Sequence, residues 1–265
     1  MDWRRKKPER AAIRRARLIT PQQPMLKDAA KLFLKRIRRQ LRRPNDAALL
    51  NGYLTAHQVR KLHIGCGGNR ISGWLNTDYL PGSRNVFHLD ATRTFPFADG
   101  QFDYAFSEHM IEHVSYARGM TMLKECRRVL KPGGKIRIST PDLAFVVGLY
   151  SGVQSATQRA YVRWACGELP KVVPADNPAF VVNNFVRNWG HTFIYDEATL
   201  RSALTEAGFT DIRRCNLQKS EHADFRGLEN ETRLPPGFLQ LETLTLEATK
   251  ADTIARPEPA AFLAA

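Results

Sequence analysis

Apolar positions along this chain follow two different periods, and the switches between them predict its elements. Residues 61–64 form a short apolar run that ends at Gly65, and residues 74–79, 86–89 and 102–106 repeat the pattern, so each reads as a strand. Over residues 116–130, Met120, Leu123, Val129 and Leu130 fall at helical spacing. Lys131-Pro132-Gly133-Gly134 then stops the helix, and residues 136–140 read as another strand. Strands alternating with helices predict a mostly parallel sheet with helices packed against it. Residues 196–208 read as a helix with Asp196 as N-cap and Gly208 at its end. Residues 211–217 and 239–249 read as strands; in the second, Leu241, Thr243, Thr245 and Glu247 alternate with Glu242, Leu244, Leu246 and Ala248.

Three stretches fall outside that alternation. Residues 143–190, rich in apolar side chains and broken by Pro170, Pro174 and Pro178, read as an insertion, helical at first, that caps the open end of the sheet. Residues 25–43 place Leu26, Ala30, Phe33, Ile37 and Leu41 on one face of a helix with Lys and Arg around the rest, and Pro44 ends it. Such a helix docks on the protein's own body, lies on an anionic membrane surface, or grips nucleic-acid phosphates. Residues 1–24 are basic and interrupted by prolines, and the stretch from 251 on reads as a loose tail. The expected organisation is a basic extension over 1–45, one domain over 46–250, and a tail over 251–265.

Charge sharpens this division. The whole chain of 265 residues carries a net +14, but residues 1–45 hold sixteen Lys and Arg against three acids, Asp2, Glu9 and Asp28. The other 220 residues hold twenty-four bases and twenty-three acids and are nearly neutral. Basicity therefore belongs to the extension, which argues against nucleic acid as the partner of the body. An apolar content of 43% supports a sizeable core. No run approaches the roughly 18–20 apolar residues of a spanning helix, and the N-terminus lacks the apolar stretch of a signal peptide. Cys66, Cys126, Cys166 and Cys215 are scattered, without a C-x-x-C pair or a His/Cys cluster that would suggest a metal. The expected location is the cytoplasm, with a peripheral place at the inner face of the membrane if the basic helix binds there.

The sharpest chemical feature is His63-Ile64-Gly65-Cys66-Gly67-Gly68-Asn69, a strand that runs straight into glycines. Glycine there lets the backbone bend tightly and approach a ligand that a Cβ would block. The full G-x-G-x-x-G is absent because residue 70 is Arg, and no Gly-Lys-Ser/Thr follows to make a phosphate loop. An acid, Asp78, ends the second predicted strand, where a carboxylate can accept ribose hydroxyls. Asp90-Ala91 ends the third, and Phe106-Ser107-Glu108-His109 ends the fourth.

Taken in order, residues 64–68, Asp78, Asp90, the Phe95–Asp103 stretch, Glu112-His113 and Arg128–Gly134 resemble a class I S-adenosylmethionine-dependent methyltransferase of type 11. Gly190-His191-Thr192 and residues 197–209 are similar to members found with bacterial surface-polysaccharide genes. The resemblance covers roughly residues 60–250. It implies an α/β, Rossmann-like three-layer sandwich around a mostly parallel seven-stranded sheet, with the basic N-terminal helix and the inserted cap added. It implies S-adenosyl-L-methionine as cofactor, with Gly65, Cys66 and Gly67 beside its methionine part, Asp78 on the ribose, Asp90 and Ala91 at the adenine, and Ser107 near the sulfonium. One departure stands out: only residues 65–73 and 80–85 link the first three strands, fewer than the dozen or more a parallel crossover normally uses, so the first helices must shrink to about a turn.

The expected reaction is methyl transfer to a small or lipid-linked acceptor, such as a sugar of a surface polysaccharide. An oxygen acceptor needs a base, and His109, His191 and Glu108 are the candidates; Glu112-His113 reads as structural. Competing readings are an RNA or DNA methyltransferase using the basic arm and a non-catalytic cofactor-binding module. The first lacks the Asn/Asp-Pro-Pro-aromatic segment expected for base amino groups. A nicotinamide dehydrogenase would need a fuller glycine fingerprint.

Overall fold

The computed structural model describes residues 46–168 and 176–251. The basic helix over 25–43, the residues before it and the tail after 251 lie outside the described residues. The chain opens with α1 (Asp46–Ala56) and enters the sheet through β1 (Lys61–Ile64), β2 (Leu75–Asp78), β3 (Phe87–His88) and β4 (Phe102–Glu108). Helix α2 (Tyr116–Val129) leads into β5 (Leu130–Pro141). Helices α3 (Leu143–Ser151), α4 (Ala156–Gly167) and α5 (Pro178–Arg187) make the insertion. Then come α6 (Glu197–Glu206), β6 (Phe209–Arg214), α7 (Phe238–Glu242) and β7 (Thr243–Lys250).

The seven strands order as β3-β2-β1-β4-β5-β7-β6. The first five run parallel, and β7 runs antiparallel to both β5 and β6. The order reverses direction between β1 and β4, and a switch of this kind opens a crevice at the strands' carboxyl ends. Gly65 follows β1 there, and Glu108 ends β4.

One face of the sheet is packed in the manner expected of an α/β fold. Leu62 and Ile64 of β1, Ala105 of β4 and Ile136 and Ile138 of β5 bury against Met122, Leu123, Cys126 and Val129 of α2 and Leu200, Ala203 and Leu204 of α6. At about 1.5–3 kcal/mol for each large apolar side chain, this layer supplies the main driving force for folding.

The opposite face is covered differently. Residues 65–74 and 79–86 connect β1 to β2 and β2 to β3 without a helix. The shortened crossovers leave one flank bare, and the connection between β6 and α7 fills it. Trp74, Phe106, Phe225 and Leu228 pack there as a separate cluster, with Ile71 and Tyr104 at its edge. The fully buried Arg137 of β5 fastens that connection. Its guanidinium bonds the carboxylates of Glu229 and Glu247 and the carbonyls of Lys219 and Asn216. Removing one partner from such a buried ionic set leaves charge uncompensated.

Two expectations about local structure are corrected. The Lys131–Gly134 stop is not a free turn but four residues looped out of the ladder: Phe102 pairs with Leu130, and Tyr104 already pairs with Lys135. Residues 239–242, expected as the start of the last strand, are helical. Gly237, in the left-handed region at φ +84°, turns the chain after Pro235-Pro236. Phe238 then packs with Val146, Tyr161, Val162 and Phe185 of the insertion, and Glu242 accepts a hydrogen bond from buried Tyr161. Sheet pairing begins only at Thr243, opposite Pro141.

Candidate active site

Two clefts meet at the crevice. The larger, about 580 Å³, is bounded by Gly65 and Gly67, by Asp78 and Tyr79, by Leu89–Thr92, and by His109, Met110, His113, Val114 and Arg118. The smaller, about 250 Å³, lies beyond the same glycines and His109, and takes its other walls from His63, Cys66, Gly68, Asn69, Glu108, Asn230 and Arg233. Gly65, Gly67 and His109 belong to both.

The glycine bend is shaped by close approach. Gly65 (φ +70°) and Gly67 (φ +51°) both take the left-handed conformation that side chains disfavour. A Cβ on Gly65 would sit 2.4 Å from Met110 Cγ, whereas one on Gly67 would meet nothing within 4 Å and would project into open space. The Cys66 amide donates to the Thr77 carbonyl at 2.9 Å, locking the bend to β2. Burial pushes the Cys66 thiol up to about 12, so it stays neutral and serves as packing rather than as a nucleophile.

Asp78 stands across the bend. One carboxylate oxygen accepts the Gly67 amide at 2.9 Å, the other the Leu80 amide at 2.7 Å, and each keeps a lone pair toward the cleft. At the far end, Asp90 accepts the Thr92 amide at 3.1 Å and hydroxyl at 2.7 Å. Burial would raise its carboxyl, but the Thr92 hydrogen bonds and Arg93 together hold it below the ordinary value. Leu89 and Ala91 give the wall beside it an apolar edge. An open cradle over glycine, a fixed carboxylate and a half-apolar end fit a nucleoside, and the volume lies in the usual range for a small-molecule site. Gly65, Gly67, Asp78, Asp90 and Ala91 are thus brought together in one cleft, and Cys66 lines the adjoining one.

Ser107 is not among them. It is buried, pairs in register with Ile64 and Ile138, and faces the main core with an unpartnered hydroxyl. Strand β4 runs two residues further than its apolar pattern suggests, so Glu108 and His109 reach the crevice instead. Glu108 accepts Asn69 Nδ2 at 3.1 Å and the Asn230 amide at 3.0 Å, clamping the glycine loop to the β6–α7 connection. Buried His63 donates from Nδ1 to Asn76 Oδ1 at 3.0 Å, and desolvation lowers it to about 4, so it stays neutral.

His109 sits at the junction with φ +45°, an uncommon backbone for a side-chain-bearing residue and typical of functional turns. Its Nε2 is 3.1 Å from Thr243 Oγ1, and its Nδ1 is 3.5 Å from Glu112 Oε1. Glu112 is fully buried. Desolvation pushes its carboxyl up, but His109 and then His113 beside it hold it below the ordinary value. The third base candidate, His191, lines neither cleft. It stacks edge-on against His113, with ring centroids 5.1 Å apart.

Sequence reasoning missed Asn230, Arg233 and the placement of Glu112. The first two are distant in the chain and reach the site only because the β6–α7 connection replaces the missing helical layer. Among the described residues, none from 143–190 lines either cleft, so the wall expected from the insertion is supplied by residues 230–233.

Residues 62–138 match the family model described as a methyltransferase domain. No curated protein matches the chain in sequence. Among solved structures, the chain is similar to an S-adenosylmethionine-dependent methyltransferase of Thermotoga maritima. That pair is 20% identical with a TM-score of 0.43, over 75% of this chain and 87% of that one. A methyltransferase of Archaeoglobus fulgidus is 17% identical with a TM-score of 0.43, over 79% and 94%. Phosphoethanolamine N-methyltransferase 2 of Haemonchus contortus, solved with S-adenosylmethionine, is 16% identical with a TM-score of 0.40, over 73% of this chain and 49% of that one. The alignment thus spans about half of the Haemonchus enzyme.

Proposed function

We propose that this chain is a class I S-adenosylmethionine-dependent methyltransferase and that it methylates a hydroxyl of a small polar acceptor, a sugar or sugar phosphate borne on a lipid. The observation that carries the reading is the smaller cleft: it joins the cofactor cleft at His109, and polar side chains project among the glycines of its wall. Those groups, Asn69, Glu108, Asn230 and Arg233, suit a ligand rich in hydroxyls. Arg233, exposed at the rim, suits an anionic group such as a phosphate.

The cofactor supplies an activated methyl on a sulfonium, so the protein's task is alignment, which contributes up to about 7–11 kcal/mol in the best cases. Gly65 and Gly67 yield room, Asp78 holds the sugar hydroxyls, and Asp90 and Ala91 border the base. His109 lines both clefts, and to take the acceptor's proton its Nε2 exchanges Thr243 Oγ1 for the acceptor hydroxyl. Glu108 acts as a positioning residue, because both its oxygens already hold the loops that shape the cleft.

The basic stretch over 25–43 supports a peripheral place at an anionic membrane, close to a lipid-borne acceptor. No helix among the described residues is long and apolar enough to cross a membrane. The test is incubation of the full chain with labelled S-adenosylmethionine and separate extracts of lipid-linked glycans, free sugars and RNA. Label in the glycan or sugar fraction, lost in His109→Ala, supports the reading; label confined to RNA overturns it.

A further inference from the structure

Glu112, His113 and His191 converge from two separate segments, and each offers a ligand atom within 4.8 Å of the other two. We propose that these three side chains form a binding site for a divalent first-row transition ion of the zinc class at the edge of the cofactor cleft.

Three observations carry it. First, Glu112 is fully buried, yet only Oε2 is bonded, by Thr140 Oγ1 at 3.1 Å. Its Oε1 makes no well-formed hydrogen bond and has only His109 Nδ1 at 3.5 Å and His113 Nε2 at 3.9 Å beside it. A buried carboxylate oxygen so weakly partnered is costly, and a bound cation would satisfy it. Second, His191 Nδ1 is 2.8 Å from the Phe185 carbonyl. A carbonyl only accepts, so Nδ1 carries the proton and Nε2 keeps the lone pair. That is the tautomer of a metal-ligating histidine with its usual outer hydrogen bond. Third, the two segments are pinned together without any ion. The amides of Thr192 and Phe193 donate to the Glu112 carbonyl at 2.7 and 3.2 Å, and the Thr192 hydroxyl donates to the His113 carbonyl at 3.2 Å.

Two imidazoles, borderline donors, beside one hard carboxylate suit zinc, iron, cobalt or nickel better than magnesium or calcium. Metal–ligand bonds of about 2.0–2.1 Å set ligand separations near 3.3–3.4 Å in a tetrahedron. Closing from the present spacing therefore asks for roughly an ångström of side-chain rotation, chiefly by the exposed His113. Three protein ligands leave a position for water or an acceptor oxygen, and His113 also lines the cofactor cleft. The site rests on its own geometry; only a part in the reaction would depend on the acceptor reading.

The test strips the full chain with chelator and titrates it with Co²⁺ and Zn²⁺ by calorimetry and visible absorption, while S-adenosylhomocysteine binding is measured separately. One equivalent of metal is expected, with a Co²⁺ spectrum lacking thiolate charge transfer. His191→Ala and His113→Ala should each weaken it at least tenfold. His191→Gln, which keeps a polar head at the Phe185 carbonyl, should weaken metal equally while melting close to wild type. Absence of stoichiometric uptake, a thiolate band, or variants that bind like wild type overturns the site. Retained S-adenosylhomocysteine binding alongside such a result would leave the methyltransferase reading standing; loss of that binding in the wild type would count against the cofactor cleft instead.

Discussion

Replacing each glycine of the bend by alanine separates its two roles. At Gly65 the added Cβ meets Met110 Cγ at 2.4 Å and Cβ at 2.8 Å, and the residue is held at φ +70°. The left-handed conformation costs an alanine about 1–2 kcal/mol, and overpacking a well-filled site costs about 1–3 kcal/mol more. Met110 is only partly buried and can give some way, so the sum is about 2–4 kcal/mol. For a chain of this size that lowers the melting temperature by roughly 5–15 °C. At Gly67 only the conformational cost applies, about 1–2 kcal/mol, because nothing lies within 4 Å of the new methyl. That methyl instead occupies the cradle, so Gly67→Ala should melt a few degrees low and bind S-adenosylhomocysteine at least tenfold more weakly. Differential scanning calorimetry and isothermal titration read the two effects. A double-mutant cycle isolates the clash: in a Met110→Ala background, Gly65→Ala should cost about 1 kcal/mol less than in the wild type. Zero coupling, or a Gly67→Ala protein that binds cofactor normally, would refute the close-approach argument.

Asp78→Ala removes an acceptor from two backbone amides and from the cofactor's sugar; with charged hydrogen bonds worth about 1.5–3 kcal/mol, affinity for S-adenosylhomocysteine should fall ten- to a hundredfold by calorimetry. Arg137→Met leaves Glu229 and Glu247 uncompensated inside the protein, so a loss of about 3–5 kcal/mol and a melting shift of roughly 10 °C are expected; unchanged melting would mean the triad is not what fastens the β6–α7 connection. Glu125 is held below its ordinary value of 4.5, chiefly by its hydrogen bond with Arg128. Because the folded value is the depressed one, its contribution is present above 4.5 and lost as pH falls, and Arg128→Gln should flatten stability against pH in urea melts between about 5 and 3. Arg233→Met should raise KM for an anionic acceptor while leaving cofactor affinity in place; a matching loss of cofactor binding would move Arg233 to the methionine end.

The parts of the site that are contiguous in the chain were legible in it. β1 begins and ends where its apolar run does, the glycines follow it, and Asp78 and Asp90 stand at the bend's far side because Asp78 ends one short strand and Asp90 sits two residues past the next. Ser107 failed for a physical reason: two more residues pair in β4 than its apolar run suggests, and with a period of two Ser107 faces the core, while Glu108 at the strand's end and His109 just after it reach the crevice. Residues 239–242 failed because alternation over four residues cannot separate strand from helix, and the Pro-Pro-Gly turn decided it. Glu112, His113 and His191 carry no spacing signal at all, since their convergence depends on backbone hydrogen bonds between segments far apart in sequence.

The same shortening that made the sequence look irregular also shapes the smaller cleft, the proposed acceptor site. Crossovers of ten and eight residues cannot hold a helix, so the sheet's second face needs another cover. That cover arrives late in the chain and is fixed from below by Arg137 and from the rim by the Asn69–Glu108–Asn230 clamp. Its last turn delivers Asn230 and Arg233 to the smaller cleft. The larger cleft is built around strands β1 to β4, whereas the far wall of the smaller one is a loop held by a buried ion pair and a hydrogen-bonded clamp. On the proposed acceptor reading, substitutions at the exposed residues 231–233 should therefore change which acceptor is used and leave the nucleoside cleft intact, the division of labour expected when variable loops sit on a rigid sheet.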